Sequence, residues 1–312
     1  MLKTIFESLF TMKFLLSIVR LSTPILLASI AAFISSSTGI VNIAIESIMT
    51  FSALAGILGS YITQNAYVGC LIGMLVGILT ALLIAFFSMK MGADAIFVGI
   101  ALNTFADSLA IFFLYQIAGE KGTSASLMTP TLPAVDIPGI SSIPVLGQIV
   151  SGQYLLTYVC WVILIVLYIL VYKTPLGMRM RACGLNADAT KTAGVNVQRL
   201  QVLSLILSGL FASLGGMYLS LNYLKIFSKG MVAGQGWMGI AANGIANGNY
   251  GVLLISSLIF AAFRAVSIVF NTSTIFPTDL VGTIPYFAVF VFVTAASIIN
   301  YYRIKHGKVE EH

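Results

Sequence analysis

From Tyr67 to Met89 the chain runs 23 residues without one Asp, Glu, Lys or Arg. The hydrocarbon layer of a bilayer is about 30 Å thick and takes about 20 apolar residues per helical crossing, so this run has the length of a span. Tyr154–Tyr172 repeats the pattern, and apolar segments recur near 22–37, 42–62, 95–115, 200–222, 237–270 and 281–301. Composition agrees. The 312 residues are 59% hydrophobic and only 8% charged, with a mean hydropathy of +1.01, whereas soluble domains carry about a quarter charged residues. Too few polar side chains remain to coat a soluble surface. A transmembrane barrel is excluded because its strands alternate apolar and polar residues, while Trp161–Val171 is apolar throughout. The expected fold is all-α: a polytopic transmembrane helical bundle of about eight to ten helical pieces, broken helices included.

The net charge of +6 is unevenly spread. Lys173, Arg179, Arg181, Lys191 and Arg199 share one connecting segment, and Arg303, Lys305 and Lys308 lie in the last ten residues. The positive-inside rule assigns both to the cytoplasm. Segment 116–152 holds Pro130, Pro133, Pro138 and Pro144 and sets one lysine against Glu120 and Asp136, so it is expected outside. Basic clusters also suit nucleic acid, but no soluble domain carries them here. Cys70, Cys160 and Cys183 lack CxxC spacing, which indicates neither a disulfide framework nor a metal site.

Residues 1–20 mix Lys3, Glu7, Lys13 and Arg20 with hydrophobics and carry no small-residue cleavage site, which predicts an amphipathic interfacial segment. The expected organisation is this segment, a transmembrane domain over 21–301 with a cytoplasmic loop at 173–199 and an external loop at 116–152, and a cytoplasmic tail at 302–312. Counting spans back from the external loop conflicts with the basic N-terminus. A discontinuous first element resolves it, in which Ile34–Gly39 breaks the helix and Asn42–Leu58 returns to the same side. The stretch 237–270 exceeds one span and is interrupted by Asn243, Gly244, Asn247, Gly248, Asn249 and Gly251, which predicts a short helix, a break and a longer helix. Paired interruptions near 39 and 244 mark either a translocation path or close packing of small residues.

Ionisable groups at membrane depth cost several kcal/mol unless paired or wet. Glu46 with Asn42, and Asp107 with Asn103, each form an i, i+4 pair inside an apolar run, and Arg264 is the one cation deep in such a run. Arg264 is a natural partner for either acid; the alternative is that all five residues hydrogen-bond between helices. In the basic segment, Asn186 is a good N-cap, Asp188 lies in the first turn and Gly194 is a good C′ residue, predicting a short helix over about 187–193. Its alanines suit the groove of a partner, and a helix this short needs such support in water. No GxxxxGK[ST], HExxH or GxSxG occurs, and His306 and His312 lie in the polar tail. These absences argue against an ATP site, a catalytic residue or a bound metal or cofactor on this chain.

At these residues the chain resembles the ABC-importer permeases that include the branched-chain amino acid, ribose and nucleoside permeases, most closely the bacterial nucleoside branch. In TPILLASIAAFISSSTGIVNIAIESIM, 23–49, Gly39, Asn42 and Glu46 fit the family pattern, and Ser47 replaces its usual glycine. FVGIALN at 97–103 is a second match, and IPGISSIPVLG at 137–147 resembles the nucleoside branch's outer loop. TPLGMRMRACGLNADATKTAGVNV, 174–197, is similar to the family loop that carries the coupling helix. In GMVAGQGWMGIAANGIANGNYG, 230–251, Asn243 and Asn247 depart from a normally apolar run.

The resemblance implies a type II importer permease fold in a bacterial cytoplasmic membrane, forming the path for a small polar solute such as a nucleoside. The partners it implies are a cytoplasmic ABC ATPase that holds the ATP and magnesium, a second permease chain in a heterodimer, and an extracellular solute-binding lipoprotein. It assigns ATPase coupling to Arg181, Gly184, Asn186, Ala187, Asp188, Ala189, Thr190, Ala193 and Gly194. The translocation-pathway candidates are Asn42, Glu46, Asn103, Asp107, Asn243, Asn247 and Arg264. The alternative is an ion-coupled secondary transporter with Glu46 or Asp107 as proton carrier.

Overall fold

The computed structural model describes residues 11–136, 150–271 and 278–305. In chain order its helices are α1 (Met12–Ser36), α2 (Ile45–Thr63), α3 (Ala66–Ala85), α4 (Ala95–Ala118), α5 (Leu155–Lys173), α6 (Pro175–Leu185), α7 (Ala187–Thr192), α8 (Val197–Met217), α9 (Gln235–Ala246), α10 (Tyr250–Asn271) and α11 (Thr278–Lys305). One π turn, Phe86–Lys90, extends α3, and another, Tyr218–Tyr223, extends α8. Two short strands, β1 (Ala134–Val135) and β2 (Gln153–Tyr154), pair antiparallel beside the start of α5. Among the described residues seven helices are long and apolar enough to cross a membrane.

α8 is the hub and packs on α1, α2 and α3, while α9 and α10 pack on α1. With no hydrophobic drive between helices in lipid, close backbone approach through small residues does much of this work. At the α3–α8 crossing a methyl added to Gly209 would sit 2.8 Å from the Gly77 carbonyl oxygen. Burial follows from the packing: 72% of the central windows of α2 and α8 is buried, against 17% for α4. α4 is thus a span with an open flank.

Contacts at the helix ends fix the path. Arg20 Nε lies 3.5 Å from Gln153 Oε1 and its guanidinium stacks 5.1 Å from the centre of the Tyr154 ring, while the Cys183 thiol meets the Thr38 carbonyl. α1 therefore traverses the bundle from the end holding β2 to the end holding α6 and α7, and α2 climbs back. This corrects the expected discontinuous first element. Residues 12–20 are the opening turns of α1 and not a separate interfacial helix. The cation Arg20 stays at the β2 end because the amide of Gln153 and the face of Tyr154 accommodate it there. Residues 1–10, the outer-loop match 137–147 and residues 306–312 of the tail lie wholly or partly outside the described residues; 302–305 continue α11.

The second half shows the anticipated pattern of short helix, break and longer helix. α9 ends at Asn247, left-handed at φ 43°, and α10 starts at Tyr250.

Candidate translocation and coupling sites

The chain leaves helical geometry between Ser36 and Ile45, and each backbone group exposed there must find a partner inside the protein. Serines and asparagines from the neighbouring helices supply them. Thr38 Oγ1 and Ser204 Oγ share a 2.6 Å hydrogen bond, and Asn42 Nδ2 donates to Ser208 Oγ at 2.9 Å. Asn42 Oδ1 also accepts from the Ala44 N–H. Ser204 and Ser208 lie one turn apart on α8, so the segment is laced along that helix. From the other side Asn103 of α4 donates to the Ile43 carbonyl and accepts from the Ser47 N–H, both at 2.9 Å. One amide thus pins the end of the break to the first turn of α2.

Glu46 occupies the first turn of α2 and reaches the first turn of α9. Its Oε1 accepts the Gly234 N–H and its Oε2 the Gly236 N–H, each at 2.8 Å. A carboxylate is well placed where unpaired N–H groups and the positive end of a helix dipole converge. The glycines are required sterically. Gly234 holds φ 75°, and a Cβ on Gly236 would lie 2.7 Å from the Glu46 nitrogen. Tyr286 of α11 closes the site by donating to the Ala233 carbonyl at 2.9 Å. Among the described residues no ion pair joins Glu46 to Arg264, and Arg264 Nε is buried without a hydrogen-bond partner. The acid's demand is met by backbone donors and not by the cation.

Lower down, Asn243 Nδ2 donates to Ser36 Oγ at 3.0 Å, tying α9 to the end of α1, and Asn247 forms the left-handed cap of α9. Asp107 stands apart from this lattice. It lies on the open flank of α4, with Thr104 one turn before it and Ser108 next to it, both exposed.

At the basic end, Thr174 Oγ1 caps α6 and Asn186 Oδ1 caps α7 by accepting the Ala189 N–H at 2.9 Å. Asp188 is in the first turn of α7, Lys191 in its last, and Gly194 follows at φ 83°. Asp188, Ala189 and Ala193 are exposed, whereas Thr190 is buried and its hydroxyl donates back to the Asn186 carbonyl. Arg181 lies 4.9 Å over the Tyr172 ring. Gly184 is seated so closely on the α1–α2 turn that an added Cβ would meet the Ser37 carbonyl at 2.7 Å, and Gln201 Nε2 reaches the Thr38 carbonyl at 3.4 Å. Two clefts flank Gly194, one lined by Ala187, Asp188 and Lys191, the other by Arg179 and Arg199.

A short capped helix outside the spans follows α6, and α6 rests on the break that leads to the junction at Glu46. The profile described as "Branched-chain amino acid transport system / permease component" matches residues 14–296. The chain belongs to that permease family. It is a multi-pass membrane protein and the permease component of an ABC-type importer. The permease is 31% identical, over 80% of both chains, to the "Nucleoside ABC transporter permease protein NupC" of Lactococcus lactis subsp. cremoris. It is 26% identical, over 80% of this chain and 75% of the other, to the "Putative glucose ABC transporter permease protein TsgC13" of Haloferax volcanii. A solved structure described as "PsaBC from Streptococcus pneumoniae in complex with Fab" has a TM-score of 0.53 over 95% of each chain at 14% identity, a likeness of fold.

Several residues of the permease site escape a reading by charge. Gly234, Gly236, Ser204 and Ser208 are ordinary in a membrane sequence, because small residues and serines recur wherever helices pack. Thr104 and Ser108 carry a signal that a helical projection finds: they lie four residues apart, on a face that Asp107 borders. Metal chemistry has no cluster of ligands to use among the described residues.

Proposed function

We propose that this permease carries nucleosides across a bacterial cytoplasmic membrane, driven by an ABC ATPase that grips α7. The observation that carries the reading is the unbroken set of contacts from α7 to the middle of the bundle. α7 follows α6 with only Asn186 between them, Cys183 and Gly184 bear on Thr38 and Gly39, and the segment beyond is tied by Glu46 to the head of α9. A push on α7 displaces the α1–α2 turn, and the head of α9 then moves with it. Coupling of this kind needs an element with two arrangements. The backbone at 37–44, held by side chains and not by helical bonds, supplies it.

Arg181, Gly184, Asn186, Ala187, Asp188, Ala189, Thr190, Ala193 and Gly194 form the coupling surface in this reading. Thr104, Asp107 and Ser108 face the solute path between this chain and a second permease, since a polar stripe on a membrane helix needs water or protein against it. An external binding lipoprotein delivers the solute, and ATP with its magnesium stays on the ATPase. Nucleosides are supported by the likeness to NupC and by the outer-loop resemblance at 137–147. An ion-coupled mechanism finds no support in the geometry: both oxygens of Glu46 are occupied by backbone donors, as befits a helix cap.

The test is uptake by cells carrying or lacking the permease, offered labelled nucleoside, hexose and branched-chain amino acid in turn. Nucleoside uptake is expected to depend on the chain, to survive collapse of the proton gradient and to stop when ATP is depleted. Chain-dependent uptake of hexose or amino acid in its place rejects the solute, and uptake abolished by loss of the gradient with ATP intact rejects the drive.

A further inference from the structure

Two tyrosines clasp the turn between α9 and α10 to α5, each donating in the opposite direction. Tyr172, in the last turn of α5, donates its hydroxyl to the Gly248 carbonyl at 2.7 Å, and Tyr250, the first residue of α10, donates back to the Leu164 carbonyl at 2.7 Å. Their rings meet edge to face with centroids 6.5 Å apart. The Gly248 carbonyl is open to a side chain because the chain is out of helical geometry there. Asn247 and Gly248 hold φ 43° and 81°, and the Val252 N–H, which a continuous helix would send to Gly248, goes to Asn249 Oδ1. A carbonyl freed in this way needs a donor from elsewhere in the protein.

α5 and α6 form a stiff elbow. Thr174 Oγ1 donates to the Leu170 carbonyl at 2.6 Å and accepts the Gly177 N–H at 3.2 Å, and Gly177 is seated directly on the backbone of Leu170 and Val171. The Arg181 guanidinium of α6 lies over the Tyr172 ring of α5. The far end of α6 bears on the first break through Cys183 and Gly184. One elbow therefore touches the chain where it leaves helical geometry after α1 and again where it does so after α9.

We infer that Tyr172 is a positioning residue for transport, passing displacement of the α5–α6 elbow to the break between α9 and α10; the inference rests on the proposed docking of an ATPase on α7. Tyr172 acts through the Gly248 carbonyl and not on the solute. With the clasp closed, the end of α9 follows the elbow while Glu46 carries its head with the first break, so α9 shifts as a whole. With the clasp open, the elbow moves past the turn and the stroke is lost there.

The experiment uses the assembled transporter in proteoliposomes and measures labelled nucleoside taken up per ATP hydrolysed. Tyr172→Phe keeps the ring beneath Arg181 and loses the hydroxyl. It is expected to hydrolyse ATP at the wild-type rate with uptake per ATP reduced about fivefold, the size of one net hydrogen bond. Tyr250→Phe, which opens the return bond, is expected to lower the ratio in the same direction. A merely structural role reduces the amount of folded transporter, so uptake and hydrolysis fall together. That outcome overturns the inference, as does a wild-type ratio in Tyr172→Phe. Tyr168→Phe is the control: its ring packs on Tyr172, and among the described residues its hydroxyl makes no hydrogen bond. It is expected to keep the wild-type ratio, and a loss equal to that of Tyr172→Phe assigns the effect to ring packing and rejects the clasp. Ala189→Asp in the same assay separates the two readings. If it uncouples while Tyr172→Phe does not, the inference fails alone; wild-type uptake in Ala189→Asp removes the docking on α7 and the inference with it.

Discussion

The carboxylate of Glu46 accepts the N–H of Gly234 at 2.8 Å, and this bond joins the head of α2 to the head of α9 across 188 positions of sequence. With its twin to Gly236 it makes one acid the cap of a helix that begins deep in the bundle. The interruption between α1 and α2 and the start of α9 are thereby a single structure.

Glu46→Gln keeps the shape but removes the charge and turns one oxygen into a donor that faces an N–H. Hydrogen bonds to charged groups contribute about 1.5–3 kcal/mol, so a loss of that order in unfolding free energy is expected, with uptake reduced about tenfold or more. Thermal unfolding in detergent and uptake in cells check both. The exchange E46R/R264E is expected to restore nothing over either single change, because the partners of Glu46 are backbone groups.

Gly236→Ala places a methyl 2.7 Å from the Glu46 nitrogen and from its Oε2. Overpacking of this kind costs about 1–3 kcal/mol. The variant is expected to insert in the membrane, to unfold at a lower temperature and to transport poorly. Gly244→Ala, in the same helix with nothing within 4 Å of the added methyl, is the matched control and is expected to behave as wild type.

Ala189 is exposed on α7, and Ala189→Asp adds charge and bulk where the ATPase is proposed to seat. ATP hydrolysis by the assembled transporter is expected to continue while solute uptake falls to background. Measuring both in the same proteoliposomes decides it, and wild-type uptake removes α7 from the coupling surface.

Asp107→Asn separates a pathway role from a structural one. Asp107 lies on the open flank of α4, so the unfolding midpoint is expected to stay within about 1 °C, as for surface changes generally. Uptake is expected to change severalfold. A fall in stability with unchanged uptake makes Asp107 a structural contact.

Asn103→Leu removes the donor to Ile43 and the acceptor for Ser47 together. Two lost hydrogen bonds of about 1 kcal/mol each, plus stranded backbone groups, predict a loss of about 2–4 kcal/mol. Uptake is expected to fail at a temperature where the wild type still works, and Asn103→Asp, which keeps the acceptor, to lose less.

Much of this was readable in the residues alone, and where it was not the reasons are specific. α7 was legible to within a residue because Asn186, Asp188 and Gly194 act on backbone groups within four positions of themselves. The spans were legible because a uniform solvent demands uniform apolar runs. Glu46 was conspicuous for the cost of its charge, but its natural partner by composition was Arg264, since a backbone N–H is the same in every residue and marks no position as a donor. The path of α1 was misjudged for a related reason. Arg20 counts as a cytoplasmic charge by rule, and only Gln153 and Tyr154, brought beside it by folding, make the other end of the bundle acceptable.

By itself, then, the sequence determined that the chain enters a bilayer as helices, that a basic capped segment stands outside it, and that the stretch 237–270 is a short helix, a break and a longer helix. Those properties follow from the solvent and from interactions between near neighbours in the chain. Tertiary structure decided that the first break meets the head of α9 through Glu46, that α4 leaves Asp107 uncovered, and which end of the bundle receives α1. Each of these depends on surfaces brought together from distant positions, and close packing of small residues permits many such pairings until the whole bundle selects one.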